Sequence, residues 1–325
     1  MVEIDFHSSV ESNTLYREAA DALRENRIDS KFLYFTPRQT ALWREVFLRH
    51  SPLHGNSEFT RIYREAFARV AERTGAKRRF LVGLGCGTGL KELELHSTLA
   101  ARGGEILFAA IDASRDLVRE SAERLIAAGA THHGSLVCDL AQAGDIGRWL
   151  DDVGGDLPRI ITFFGLFPNF LPPVITRLFR AVLRPGDLLL ASAHLAPVTD
   201  GIGHDIPAAM NAVLPQYDNP ETLIWLSAAL EEAGLENLVE PPEMKIGQIG
   251  KIPAFIASAR WKSAAPFEQW GRRFTPRPDE PLRVFYSLRY TPALFENLLK
   301  REGFAVERLA LTACRQEAIW CIRLG

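Results

Sequence analysis

The sequence predicts an α/β fold: a Rossmann-like core of parallel strands and crossover helices, with an inserted α+β lobe. Three observations predict it. From Arg79 to about Leu195, short apolar runs alternate with amphipathic stretches, the pattern of right-handed βαβ units feeding a parallel sheet. The first of those runs, Phe80-Leu-Val-Gly-Leu84, breaks directly into Gly85-Cys-Gly87-Thr-Gly89 and a helix. After Leu195 the pattern stops, and eleven prolines fall between Pro197 and Pro281, a density that no extended βαβ array tolerates.

Before the core, Glu11 to Asp29 reads as a helix, followed by a short aromatic segment with Phe32, Tyr34 and Phe35. Gln39 to Arg49 and Glu58 to Thr74 return to helical spacing, with Ser51 to Ser57 as a loop between them. Core strands are expected at 80–84, 106–112, 135–139, 159–164 and 188–192, with helices at 115–128 and 174–183 between them. In the proline-rich stretch a helix is expected at 221–233 and β-like runs at 252–261. From Thr291 the core pattern resumes with a helix (292–302) and two strands (305–311 and 319–323). These complete a seven-stranded sheet.

Composition bounds the function. The chain has 325 residues, 47% of them apolar and 24% charged, the make-up of an ordinary globular protein with ample core. A net charge of −2 gives no electrostatic footprint for nucleic acid or an anionic membrane, and no apolar run is long enough to span a bilayer. Met1-Val-Glu-Ile-Asp-Phe-His7 lacks the basic-then-apolar order of a signal peptide. The four cysteines are scattered, and His132-His133 is a poor geometry for two metal ligands. The expectation is a reduced, cytoplasmic protein with no metal site and a small-molecule partner.

The glycine loop narrows this further. A dinucleotide fingerprint reads G-x-G-x-x-G and brings a pyrophosphate to the helix N-terminus. Here the third glycine comes one residue early, a tighter form suited to the uncharged ribose and amino-acid parts of S-adenosylmethionine (SAM). Gly85, Gly87 and Gly89 are therefore expected to carry the cofactor. Asp112, ending Ile106 to Asp112, is placed to accept its ribose hydroxyls, and Asp139, ending Ser135 to Asp139, to meet its adenine amine. Phe164 closes the next strand beside it. Asn169, on the loop after that strand, either caps a turn or donates to a ligand carboxylate. Tyr34 either packs as a core aromatic or orients the methyl-accepting amine, and Tyr217 either closes a turn or binds ligand. The expected bounds are 1–59 for a helical segment belonging to the substrate lobe and 60–195 for the SAM-binding core. The inserted substrate lobe is 196–290, and 291–325 completes the sheet.

Taken together, these stretches resemble the histidine-specific methyltransferase family of the ergothioneine pathway. Lys31-Phe-Leu-Tyr34 is similar to a family segment whose tyrosine lines the site near the substrate amine. Gly85-Cys-Gly-Thr-Gly-Leu-Lys91 resembles the family's glycine loop, with Gly89 in place of its usual serine. Phe164 to Pro172 resembles a loop whose asparagine, here Asn169, binds the substrate carboxylate. Tyr217-Asp218 resembles a pair whose tyrosine shares that carboxylate. The resemblance implies a class I SAM-dependent methyltransferase with an inserted lobe that closes over an amino acid, and it makes Tyr34 and Asn169 the catalytic candidates. It departs in the side-chain pocket. Where the family holds the imidazole with a Glu-x-Ser pair, this chain has Phe285-Tyr-Ser287. A second family tyrosine has no match near Ser51-Pro52. The acceptor expected is thus an amino acid or amino-acid-derived molecule other than histidine, with Tyr34, Asn169, Tyr217, Phe285 and Ser287 around it. A guanidino nitrogen or specialised metabolite as acceptor, and a SAM-fold binding protein without turnover, are the alternatives.

Overall fold

The computed structural model describes residues 2–52, 56–75, 78–197 and 206–325. In chain order its helices are α1 (Ser12–Arg24), α2 (Pro37–His50), α3 (Ser57–Arg73), α4 (Leu90–Ala100), α5 (Arg115–Ala127), α6 (Ile146–Gly154), α7 (Pro172–Val182), α8 (Ile206–Val213), α9 (Pro220–Glu232) and α10 (Pro292–Arg301). Its strands are β1 (Asp5–Phe6), β2 (Arg78–Leu84), β3 (Glu105–Asp112), β4 (Thr131–Val137), β5 (Arg159–Phe164), β6 (Leu188–His194), β7 (Glu243–Ile249), β8 (Ile252–Ala259), β9 (Phe267–Gln269), β10 (Arg272–Phe274), β11 (Leu282–Leu288), β12 (Phe304–Leu311) and β13 (Glu317–Leu324). The chain divides into two units, one of residues 1–7, 55–204 and 290–325, the other of residues 8–54 and 205–289.

The larger unit is built on one sheet of order β1-β4-β3-β2-β5-β6-β13-β12. Strands β1 to β6 pair in parallel, and β13 runs antiparallel to both β6 and β12. Six of the seven residues of β2 and all six of β5 are buried, as central parallel strands covered on both faces require. Helix α3 buries the stripe Phe59, Ile62, Tyr63, Ala66, Phe67, Val70 and Ala71, the 3.6-residue spacing of a helix with one apolar face. The sheet has eight strands where seven were expected. The addition is β1, whose Asp5 and Phe6 pair with Leu136 and Val137. Strand β4 also starts four residues early, because Thr131, His132, His133 and Gly134 join it despite their polarity.

The smaller unit carries the antiparallel sheet β11-β8-β7 and the β9–β10 hairpin. Helix α1 ends at Arg24, short of the expected Asp29, where Asn26 adopts a left-handed backbone at φ 51°. Helix α2 starts at a capping box of Thr36 and Gln39 with Pro37 in the first turn. Asn219 caps α9, accepting the Thr222 N–H at 2.9 Å ahead of Pro220. Proline thus sits at helix starts, where its missing N–H costs nothing. The Trp225 indole N–H donates to the Leu33 carbonyl at 2.8 Å and ties α9 to the turn before α2.

Candidate active site

In the larger unit the order of strands reverses at β2: β3 and β4 lie on one side of it, β5 and β6 on the other. Open α/β sheets bind ligands beyond the carboxyl ends of their strands at such a switch point. Gly85, Asp112, Asp139 and Phe164 lie at or just past the carboxyl ends of β2, β3, β4 and β5. The sequence-derived cofactor residues are therefore gathered at one end of one sheet.

All three glycines of the loop have positive φ, 63° at Gly85, 51° at Gly87 and 73° at Gly89. That backbone disfavours side chains. Space adds to the demand at two of the three. A Cβ on Gly85 would lie 1.9 Å from a methyl of Leu166, and one on Gly89 2.9 Å from the Cα of Ser121. Asp112 is 8% exposed and holds this loop. Its Oδ2 accepts the Gly87 N–H and its Oδ1 the Ser114 N–H, each at 3.0 Å. Burial raises its pKa, opposed by those backbone donors. A carboxylate offers about four acceptor sites, so Asp112 can accept further donors beside these. Asp139 forms a turn, with Oδ1 accepting the Ala141 N–H at 2.9 Å. Phe164 packs its ring edge-on to Tyr63 at 5.4 Å. Asn169 ends a short 3-10 turn, and its N–H donates to Leu166 at 2.8 Å.

Next to this loop lies a polar cluster that sequence reasoning missed. The Tyr63 hydroxyl donates to Glu317 and lies 2.7 Å from Ser192 Oγ, whose hydroxyl oxygen in turn accepts the Gly165 N–H at 3.0 Å. Glu317 is fully buried, with His194 Nδ1 3.5 Å from its other oxygen. Burial and the Glu317 carboxylate push the Tyr63 pKa well up. Lys91, in the first turn of α4, places its ammonium 4.7 Å from the Tyr63 ring centre and 5.6 Å from that of Phe164. Burial lowers its pKa against the pull of Glu317 and Glu92. The only sequence signal for this cluster was Tyr63 on the apolar face of α3.

The smaller unit gathers Tyr34, Tyr217, Phe285 and Ser287. Tyr34 lies 5.3 Å from Trp225, Trp225 lies 5.9 Å from Phe285, and Phe285 lies 6.4 Å from Tyr217 in a stacked arrangement. Tyr217 follows the 3-10 turn at Leu214–Gln216 and stacks on Phe255 at 4.7 Å. Phe285 pairs with Ala257 and Ser287 with Phe255 across β11 and β8, so both side chains stand on the face that Tyr217 covers. Phe285 and Ser287 are 8% and 2% exposed. Asn169 alone of the acceptor candidates belongs to the larger unit.

Among the described residues no group of three His, Cys, Asp or Glu has the geometry to hold a metal, and no helix is long and apolar enough to cross a membrane. None of the four cysteines forms a disulfide.

No family model matches the chain, and no curated protein matches it. Solved structures resemble it distantly. Magnesium protoporphyrin IX methyltransferase from Synechocystis PCC 6803, with bound SAH, aligns over 91% of this chain and 100% of its own at 16% identity and a TM-score of 0.44. SAM-bound CalS10, an amino pentose methyltransferase from Micromonospora echinaspora, aligns over 81% and 92% at 14% identity and 0.39. The 1,6-didemethyltoxoflavin-N1-methyltransferase of Burkholderia thailandensis aligns over 95% and 90% at 12% identity and 0.41. These scores lie below the level at which likeness speaks to activity.

Proposed function

We propose that the protein is a SAM-dependent methyltransferase that N-methylates an amino acid or amino-acid-derived small molecule other than histidine. One observation carries the cofactor assignment. Three successive left-handed glycines follow β2 at the sheet's switch point, and the Asp112 carboxylate at the end of the adjacent strand clasps their middle N–H. That carboxylate has lone pairs left for a pair of ribose hydroxyls, so the residues present fit the group.

Bound there, SAM supplies an electrophilic methyl carbon on a sulfonium. The chain's own part is positioning. Gly85, Gly87 and Gly89 let backbone approach the ligand closely, Asp112 grips the ribose, Asp139 meets the adenine edge, and Phe164 gives an apolar wall. In-line displacement then needs little more than a near-attack geometry and exclusion of water. The acceptor nitrogen must present its lone pair, so the amine is bound neutral or sheds a proton before the C–N bond forms. Within the smaller unit Tyr34 is the residue assigned to that amine and Tyr217 to a carboxylate; within the larger unit Asn169 is a second carboxylate candidate. Phe285 stands where a carboxylate would hold an imidazole; a phenyl ring accepts no N–H bond of that strength, so the pocket disfavours histidine.

Isothermal titration with SAM, then mass spectrometry of products from an amino-acid panel, tests this reading. Saturable SAM binding and a mass gain of one or more methyl groups on a panel member are the expected results. Absence of SAM binding to the folded protein refutes it.

A further inference from the structure

Four cationic side chains are buried among the described residues: Lys31, Arg79, Arg159 and Arg289. Three have acceptors. Lys31 pairs with Glu18, Arg79 donates to the carbonyls of Gly103 and Thr74, and Arg159 pairs with Asp151. Arg289 has none. It is 1% exposed, and its Nε, Nη1 and Nη2 are all buried without a hydrogen-bond partner. A guanidinium buried without an acceptor is strongly destabilising.

Aromatic rings offset part of that penalty. The guanidinium carbon lies 4.5 Å from the Tyr217 ring centre and 4.9 Å from that of Phe255, while the two rings stack at 4.7 Å. The three centres form a nearly equilateral triangle, so the rings flank the guanidinium on one side only. Cation–π contact is weaker than a buried ion pair, and it satisfies none of the five N–H donors.

Position supplies the rest. Arg289 lies one residue beyond β11, its own N–H donating to Pro253 at 2.7 Å. It is thus in alternating step with Phe285 and Ser287. It touches Tyr217, the residue to which the family resemblance gives a ligand carboxylate.

We propose that Arg289 binds the carboxylate of the methyl acceptor. Its planar fork matches two carboxylate oxygens, and the neighbouring rings of Tyr217, Phe255 and Phe285 suit an acceptor with an aromatic or apolar body. This rests on the methyltransferase reading for the word acceptor, but the anion site can be tested without it.

Benzoate and the neutral, equally shaped benzamide are titrated into the full-length protein, wild type and Arg289→Met. Thermal unfolding and the 15N-detected arginine Nε–Hε signals are followed. Benzoate should raise the wild-type melting temperature saturably and shift one arginine signal that Arg289→Met lacks. Its affinity should drop at least about tenfold in the variant, and benzamide should do neither. Equal benzoate binding by both proteins, equal effects of benzoate and benzamide, or no benzoate binding by wild type overturns the proposal. If Arg289→Met does not fold, the wild-type contrast of benzoate with benzamide decides alone. SAM is titrated in parallel. Binding of SAM without a benzoate response removes Arg289 and leaves the methyltransferase reading; the converse removes that reading and leaves the anion site.

Discussion

The glycine loop of the larger unit and the aromatic face of the smaller one treat charge in opposite ways. At the loop, Asp112 is buried but both its oxygens accept backbone N–H groups, so the fold itself balances it. On the aromatic face, Arg289 is buried more deeply still, and among the described residues it meets rings but no acceptor. A site whose polar groups are already satisfied is rigid before ligand arrives, and its residues serve stability and binding together. A site with an unbalanced charge is unstable for its own sake. The first is balanced by its own backbone; the second has a charge that a ligand anion would balance.

Substitution can break that contrast, most severely at the loop. Gly89→Ala must place a Cβ against the Ser121 backbone at φ 73°. Strain and overpacking together should cost about 2–4 kcal/mol of stability, read by urea unfolding. A loss below 1 kcal/mol would mean the loop relaxes easily and is not rigid. Asp112→Ala leaves two N–H groups without acceptors and removes the proposed ribose contact. SAM affinity should fall by about 1.5–3 kcal/mol; unchanged affinity in the folded variant removes Asp112 from the cofactor site.

Histidine sharpens the other half of the comparison. With Phe285 in place of a carboxylate, its turnover should trail the best acceptor of an amino-acid panel by about 10- to 100-fold, the equivalent of one lost buried hydrogen bond at about 1–3 kcal/mol. Efficient methylation of L-histidine would show that Phe285 does not occupy the side-chain pocket. The smallest effect is a pH dependence. Burial raises the Asp112 pKa, so this carboxyl takes up its proton at higher pH than an ordinary aspartate. The sign follows: SAM affinity should be full above that raised pKa and decline as pH falls through it, by up to about tenfold per pH unit. Asp112→Asn, which cannot titrate, should give a flat profile over the same range, and a parallel decline in both proteins would assign the effect elsewhere.

The sheet was legible wherever an apolar run ended in glycine or an acid, as in β2, β3 and β5, because burial on both faces leaves a continuous apolar signature. Strand β1 was not, since Asp5 and Phe6 are too few to show any period and pair only through a neighbour far along the chain. The four glycine-loop and strand-end features stood out for the same local reason. Lys91, Glu317 and Arg289 did not. A charged residue beside an apolar one looks alike in sequence whether it is solvated or buried, and only the packing of α3, β13 and β8 around them decides. Phe285 was visible only by contrast with a family pattern.

Both units are assembled from separated pieces of chain, and this bears on how the protein is made. The smaller unit needs residues 8–54 to wait for 205–289, and strand β6 gains its antiparallel neighbour only with β13, at residues 317–324. Partners so far apart in sequence close slowly, because chain entropy is lost before contacts form. During synthesis the buried face of α1, with Leu15, Ala19 and Leu23, must therefore stay exposed until residues 205–289 have emerged, so this molecule should depend on chaperones more than a single-stretch domain of its length does.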